Sequence, residues 1–189
     1  ANVGVLAQPT TRAQVLANTA RLPSNLFSHS DQIVAMQSGD ANGSSGGTGW
    51  AGRSADATAT RNGSSRFPAS LSMNGSALFC AGAKVTSASL VPGFDMTPDN
   101  MNPWPASAAA ARSKGLAEVL ALDGGLAMVQ AANHVWQDAL SLGSLLMGSS
   151  GGTLATAFPG TPIGQQLQQV AKIIKLRGTT GMGRQVFFC

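Results

Sequence analysis

Apolar residues in the second half of the chain repeat every three or four positions, which is the period of an amphipathic helix. This spacing predicts one helix over about 126–147 and another over 163–176. An Ala-rich segment, 106–122, precedes both and is also predicted to be helical, although Gly115 weakens it by about 1 kcal/mol relative to alanine. The second half of the chain is therefore expected to consist mainly of helices.

Shorter elements are predicted in the first half. Residues 2–7 read as a short buried strand. Thr11 followed by Gln14 matches a capping box, which predicts a helix that runs to about Ala20. Beyond a Gly/Ser-rich loop, a further short helix is expected over 54–60.

The strongest strand signal lies in the middle of the chain. Residues 70–73 and 76–79 flank Asn74-Gly75, the dipeptide that favours a two-residue hairpin turn. A further strand is predicted within 84–91, and 185–189 reads as a strand buried on both faces, which is typical of a parallel sheet between helices.

The order of these elements predicts an α/β fold, with a mostly parallel sheet flanked by helices and a small β-hairpin excursion. One domain is expected over 1–189, with flexible loops at 40–49 and 148–162. Because an active-site loop is expected at the carboxyl end of the last strand, where the sequence stops, we interpret this domain as incomplete.

Composition excludes several classes of protein. Only 11% of the residues are charged, and the net charge of +4 is scattered, without a basic run interleaved with aromatic residues, so nucleic acid is not expected as a partner. No apolar stretch approaches the roughly 18 residues that span a bilayer. The abundance of small residues favours an exported bacterial protein. Cys80 and Cys189 allow one disulfide at most.

The densest group of polar residues lies around a predicted helix start. Ser28 and Ser30 precede the helix, His29 lies between them, Asp31 falls in the first turn, and Gly39 is expected to end the helix. The free N–H groups of such a turn suit an anionic ligand. Alternatively, Ser28 caps the helix, Asp31 completes a capping box and His29 is a surface residue.

Other candidate sites have less support. Ser45 and Ser150 each centre a G-x-S-x-G match, but neither follows a predicted strand and precedes a helix, as a nucleophile elbow requires. His134 and Asp138 lie at i and i+4 on one helix, a spacing that can present two metal ligands, but no third ligand accompanies them.

Three Asn-Gly-Ser sequences are formal glycosylation acceptors. They begin at Asn42, Asn62 and Asn74. Asn-Gly turns explain all three without a sugar.

Four segments resemble a large bacterial family, the domain of unknown function 1501. They read Asn-Val-Gly-Val-Leu-Ala-Gln-Pro-Thr-Thr-Arg, Leu-Phe-Ser-His-Ser-Asp-Gln, Thr-Gly-Trp-Ala-Gly-Arg and Arg-Gln-Val-Phe-Phe. The resemblance implies twin-arginine export to the periplasm or medium, and a fold similar to the alkaline phosphatase and sulfatase superfamily. Enzymes of that superfamily are metal-dependent hydrolases of phosphate or sulfate esters, so a small anionic ester is the implied substrate.

The resemblance also implies roles for particular residues. A divalent metal (zinc, manganese or calcium) is expected, but the family's ligand motifs would precede Ala1 or follow Cys189, so its ligands are not in this chain. The implied catalytic residues are Ser28 as the nucleophile, His29 to orient or protonate an oxygen, Asp31 beside them, and Arg53 as an anion clamp.

Two alternative functions stay open. The first is a non-catalytic exported protein that takes part in surface assembly. The second is a metal-free serine esterase that uses Ser150 or Ser45 with His134 or His29.

Overall fold

The computed structural model describes residues 10–19, 27–40, 46–85, 87–93, 101, 104–122, 124–148 and 154–189. Within them the protein is α/β, with seven α-helices and a three-stranded parallel sheet. The chain divides into two compact units, one formed by Ala1–Val91 with Gly181–Cys189 and the other by Pro92–Thr180. This division into two units does not test the expectation of a single domain, which stays a prediction.

In its described residues, the first unit contains three α-helices and three strands. The helices are α1 (Arg12–Leu16), α2 (His29–Ser38) and α3 (Trp50–Thr58), and the strands are β1 (Ser70–Ser72), β2 (Ser87–Ser89) and β3 (Val186–Phe188). Two 3-10 helices, Ala59–Asn62 and Leu78–Cys80, connect them. The strand predicted over 2–7 lies outside the described residues.

Local capping signals position α1 and α2 as predicted. Thr11 and Gln14 form both halves of a capping box, although α1 ends at Leu16. At α2, the Ser28 hydroxyl accepts a hydrogen bond from a backbone N–H of the first turn, and Gly39 ends the helix with a positive φ of 65°. The sequence therefore predicted the caps at Thr11 and Ser28 correctly, but Ser30, which was expected to precede the second helix, lies within it.

Helix α3 begins earlier than predicted. The sequence placed a short helix over 54–60, but the structure starts it at Trp50 and continues it as a 3-10 turn over Ala59–Asn62. Gly49 occupies the N-cap without a side-chain hydrogen bond. Glycine is a common N-cap residue, but in this Gly/Ser-rich stretch Gly49 does not mark a helix start by itself.

The hairpin predicted around Asn74-Gly75 is wrong. Strand β1 pairs in parallel with β2 and β3, in the sheet order β2-β1-β3, and residues 78–80 form a 3-10 helix instead of a returning strand. Gly75 does adopt a positive φ of 73°, so Asn74-Gly75 forms a turn, but the residues before and after this turn do not pair with each other as strands. The physical reason is that β1 is buried throughout, and neighbours from distant sequence occupy both of its edges.

The other two strands confirm their predictions in part. Strand β2 lies within the predicted 84–91, and β3 lies within 185–189 and is parallel, as expected. However, β3 is half-buried rather than buried on both faces. This difference follows from its position at one edge of the three described strands.

The core of the first unit lies where α3 packs against the sheet. Ala55, Ala69 and Met182 are buried together, with Phe67, Val85 and Val186 packed around them. In β1, Leu71 is fully buried. The last residues of the chain thus complete a core that begins about 120 residues earlier.

The second unit contains the four remaining helices. They are α4 (Ala106–Leu120), α5 (Ala127–Gly148), α6 (Pro162–Lys175) and α7 (Arg177–Thr180). The first three confirm the predicted helices. None of the described helices is both long enough and apolar enough to cross a membrane.

Specific polar contacts order these helices. Asn133 and Gln137 lie one turn apart on α5. The Gln137 side chain donates to the carbonyl of Leu120, the last residue of α4, and the Asn133 side chain donates to the carbonyl of Leu122, two residues beyond it. Thr161 caps α6, with proline in its first turn. The fully buried side chain of α6 is Ile173, whereas its predicted apolar stripe is about half exposed at three positions, namely Ile163, Leu167 and Ile174.

Candidate functional site

The predicted nucleophile region forms the N-terminal turn of α2. The Ser28 Oγ lies 3.0 Å from the Ser30 Oγ and accepts from the Asp31 N–H at 3.3 Å. His29 is the first helical residue and is exposed to solvent, as is Ser30. The structure therefore confirms that the Ser28 hydroxyl caps the helix by accepting the Asp31 N–H. It also brings Ser28, His29 and Asp31 into one helical turn.

Arg53 lies at the other end of the same helix. Its guanidinium donates to the Ser38 carbonyl at 2.6 Å and to the carbonyl and hydroxyl of Thr48 at 3.0 and 3.1 Å. Ser38 is the last residue of the ten-residue α2, and such a helix is about 15 Å long. Arg53 thus fastens the C-terminal end of α2 to the start of α3, and the structure does not bring it to Ser28.

The glycines of the Gly-Trp-Ala-Gly-Arg segment allow two backbone segments to touch. A Cβ atom on Gly49 would collide with the carbonyls of Leu78 and Phe79, and one on Gly52 would collide with the Ala81 carbonyl. The Gly49 N–H also donates to the Ala81 carbonyl at 2.8 Å. Both glycines are therefore required by the packing of α3 against residues 78–82.

An aromatic cluster covers this contact. The rings of Trp50 and Phe79 meet edge to face with centroids 4.6 Å apart, and Phe79 lies 5.2 Å from the ring of Phe188. The Gln37 side chain accepts the Phe79 N–H at 3.1 Å, which ties α2 to the same segment. Of the segments that carried the family resemblance, Gly49, Trp50, Gly52 and Phe188 therefore have packing roles.

Asp56 is a polar anchor that the sequence analysis missed. Its carboxylate accepts three backbone N–H groups, from Ala83, Lys84 and Val85, at 2.7–3.0 Å. Desolvation raises the pKa of Asp56, but the three hydrogen bonds and the Lys84 charge outweigh it and hold that pKa below the ordinary value. No local signal reveals this role, since the partners lie 27 to 29 residues away.

Asn62 is a second polar anchor, where the sequence predicted only an Asn-Gly turn. It is buried, and its side chain accepts the N–H groups of Gly183 and Arg184 and donates to the Arg184 carbonyl. The Asn-Gly turn predicted here does exist, since Gly63 has a φ of 55°. The buried amide is engaged within the protein, so it is not available to a glycosylating enzyme in this conformation.

Both cysteine thiols are free. Cys80 is buried, and desolvation raises the pKa of its thiol, an effect that the nearby Ser70 hydroxyl opposes. Cys189 is exposed, although partial burial also raises its pKa. The possible Cys80–Cys189 disulfide is therefore not formed in this structure.

The described residues do not fit a catalytic metal. Among them, no group of three or more His, Cys, Asp or Glu side chains lies close enough to hold an ion. His134 and Asp138 are both exposed on α5, and the Asp56 carboxylate is engaged by three backbone N–H donors. The serines of the esterase alternative, Ser45 and Ser150, lie outside the described residues.

Comparisons with known proteins add no relative. Scans of the chain against family models, curated proteins and solved structures each found no match.

Proposed function

We propose that this chain forms part of the α/β scaffold of an exported hydrolase of phosphate or sulfate esters, with an alkaline phosphatase-like fold. The metal ligands of that enzyme would come from residues outside the described ones. The proposal rests on the family resemblance of four segments and on the α/β architecture.

The parallel sheet is the observation that carries this proposal. All three strands run in the same direction, so Met73, Leu90 and Cys189 follow their carboxyl ends at one edge. In open α/β sheets, substrates bind beyond that edge. The order β2-β1-β3 takes its third strand from the far end of the chain, as doubly wound sheets often do.

The N-terminal turn of α2 supplies the proposed chemistry. Ser28 would attack the phosphorus or sulfur atom, and the exposed His29 would protonate or orient a substrate oxygen. The positive end of the α2 dipole favours an anionic ester beside them. Arg53 acts in this proposal as a positioning residue, because its guanidinium is bonded to the opposite end of α2.

Hydrolysis of p-nitrophenyl phosphate and p-nitrophenyl sulfate by the full-length protein tests this function. Assays would contain zinc, manganese or calcium, and Ser28→Ala would be compared with Ser54→Ala, an exposed serine on α3. We expect turnover that Ser28→Ala lowers at least a hundredfold and Ser54→Ala leaves unchanged. Inactivity of the full-length protein with all three metals would overturn the proposal.

A non-catalytic assembly protein is the second candidate. It is favoured by the exposed apolar side chains of α5, since Met128, Val135 and Trp136 are 85%, 66% and 52% exposed. Exposed apolar groups of this size often mark interaction surfaces. Stable self-association in light scattering, together with no hydrolysis in any assay, would support this candidate over the first.

A further inference from the structure

Three exposed arginines lie in two segments that touch each other, the loop that leads into β1 and the segment that leads into β3. The Asn62 side chain joins these segments, because it accepts from the Gly183 and Arg184 N–H groups at 3.0 and 2.8 Å and donates to the Arg184 carbonyl at 3.0 Å. Arg61 directly precedes Asn62 in the chain. Arg61 and Arg184 therefore flank one buried amide.

Further contacts extend this junction to Arg66. The Gln185 side chain donates to the Pro68 carbonyl at 3.2 Å. A Cβ atom on Gly183 would lie 2.6 Å from the Arg61 carbonyl oxygen, so the two backbones are in direct contact. The loop that carries Arg61 and Arg66 thus lies beside the segment that carries Arg184, at the amino end of the parallel sheet.

These three arginines, which we call the arginine junction, form a group of exposed positive charges. Arg61, Arg66 and Arg184 are all exposed, and in the part of the chain that the structure describes no carboxylate forms an ion pair with them. Asp56, the acidic residue that precedes Arg61 most closely, directs its carboxylate to three backbone N–H groups instead. The junction therefore presents a positive surface.

We propose that the arginine junction binds a sulfated polysaccharide. The planar guanidinium group matches two oxygens of a sulfate, and several sulfates along one stiff chain can engage several arginines together. This binding does not depend on the proposed hydrolase activity, because it requires no chemical step.

The surroundings of the junction favour this partner over single-stranded nucleic acid, which is held by stacking, and over insertion into a membrane; binding to duplex DNA through its phosphates alone is the competing outcome of the test. Phe67, the aromatic residue next to Arg66 in the chain, is partly buried and packs against the core, which leaves little of its ring to stack on unpaired bases. The flanking residues at 62–65 and 183–185 are Asn, Gly, Ser, Arg and Gln, which offer no apolar side chain for insertion into a membrane. Charge recognition without stacking or insertion is what a sulfated sugar chain requires.

Binding of the full chain to a fluorescein-labelled heparin oligosaccharide, followed by anisotropy, tests the proposal. Arg61→Gln and Arg66→Gln would each be expected to weaken binding about fivefold. Each would also lower the slope of log Kd against log salt by about one. Arg12→Gln, which removes an exposed arginine on α1, is the matched control and should leave the affinity unchanged.

Arg184 needs a separate control because its guanidinium donates to the Gly183 carbonyl at 2.8 Å. Arg184→Lys keeps the charge, and circular dichroism would confirm that both this variant and Arg184→Gln are folded. We expect Arg184→Lys to bind more tightly than Arg184→Gln. The proposal is overturned if the Arg61→Gln/Arg66→Gln double variant binds like the parent, if Arg12→Gln weakens binding equally, or if the protein prefers duplex DNA or anionic vesicles to heparin.

Discussion

Asn62 and Arg184 are 122 residues apart in the chain, yet the side chain of the first bonds both the N–H and the carbonyl of the second, at 2.8 and 3.0 Å. A single buried amide thereby holds the segment before β3 against the 3-10 turn that follows α3. This contact fixes how the last strand enters the sheet.

Replacement of Asn62 by alanine is expected to lower the free energy of unfolding by about 2 to 4 kcal/mol, because it leaves the N–H groups of Gly183 and Arg184 without their acceptor. Urea unfolding monitored by circular dichroism measures this loss. Asn74→Ala is the matched control, since Asn74 also begins an Asn-Gly-Ser turn but is exposed. Equal losses in the two variants would contradict the anchoring role of Asn62.

A methyl group at Gly52 is expected to lower the unfolding free energy by about 3 kcal/mol, because its Cβ would collide with the Ala81 carbonyl. Gly115→Ala is the opposite case. Gly115 is helical and has no atom near its Cβ position, so alanine there should raise stability by about 1 kcal/mol. Thermal unfolding of the two variants checks both signs, and a tolerated Gly52→Ala would show that α3 does not pack on residues 78–82 as described.

Substitution of Arg53 by lysine distinguishes a positioning role from an anion clamp. Lysine keeps the charge but cannot bond the Ser38 and Thr48 carbonyls together as the guanidinium does, so we expect a loss of about 1 kcal/mol of stability. The affinity for inorganic sulfate or phosphate should stay unchanged in titration calorimetry. A fall in that affinity with unaltered stability would restore Arg53 as an anion clamp.

Asp56 is expected to make stability depend on pH in the acid range. Its pKa is lowered in the folded protein from the ordinary 3.8, so the unfolded state binds a proton first as the pH falls. The stabilisation from Asp56 is therefore complete above pH 3.8 and is lost progressively as the pH falls from there through the lower folded pKa. Urea midpoints measured from pH 6 to pH 2 should fall less steeply for Asp56→Asn, and parallel curves would refute the carboxylate's role.

Elements with short-range signals could be predicted from the sequence. Thr11 and Ser28 mark helix starts through hydrogen bonds that reach only three residues, and Gly39 marks a helix end through its own backbone. The repeating apolar positions of α5 and α6 likewise predicted those helices. These features are encoded within single turns, so one sequence suffices to find them.

Features that depend on distant partners could not be predicted in this way. Asn74-Gly75 has the local signature of a hairpin, but β1 pairs instead with strands that begin at Ser87 and Val186. The roles of Gly52 and Asp56 depend on backbone groups about 30 residues away. For the candidate site, the Ser28 turn was predicted, whereas the distance of Arg53 from it became visible only in three dimensions.

The route of the chain through the first unit has a consequence for biosynthesis. Strand β1 is made early, but its neighbour β3 and the core residue Met182 emerge only after all of Pro92–Thr180 has been synthesised. One edge of β1 therefore stays without its native partner while residues 92–180 are translated, a state that invites pairing with other chains. Holdase chaperones that shield exposed strands would have their longest opportunity to act on this segment.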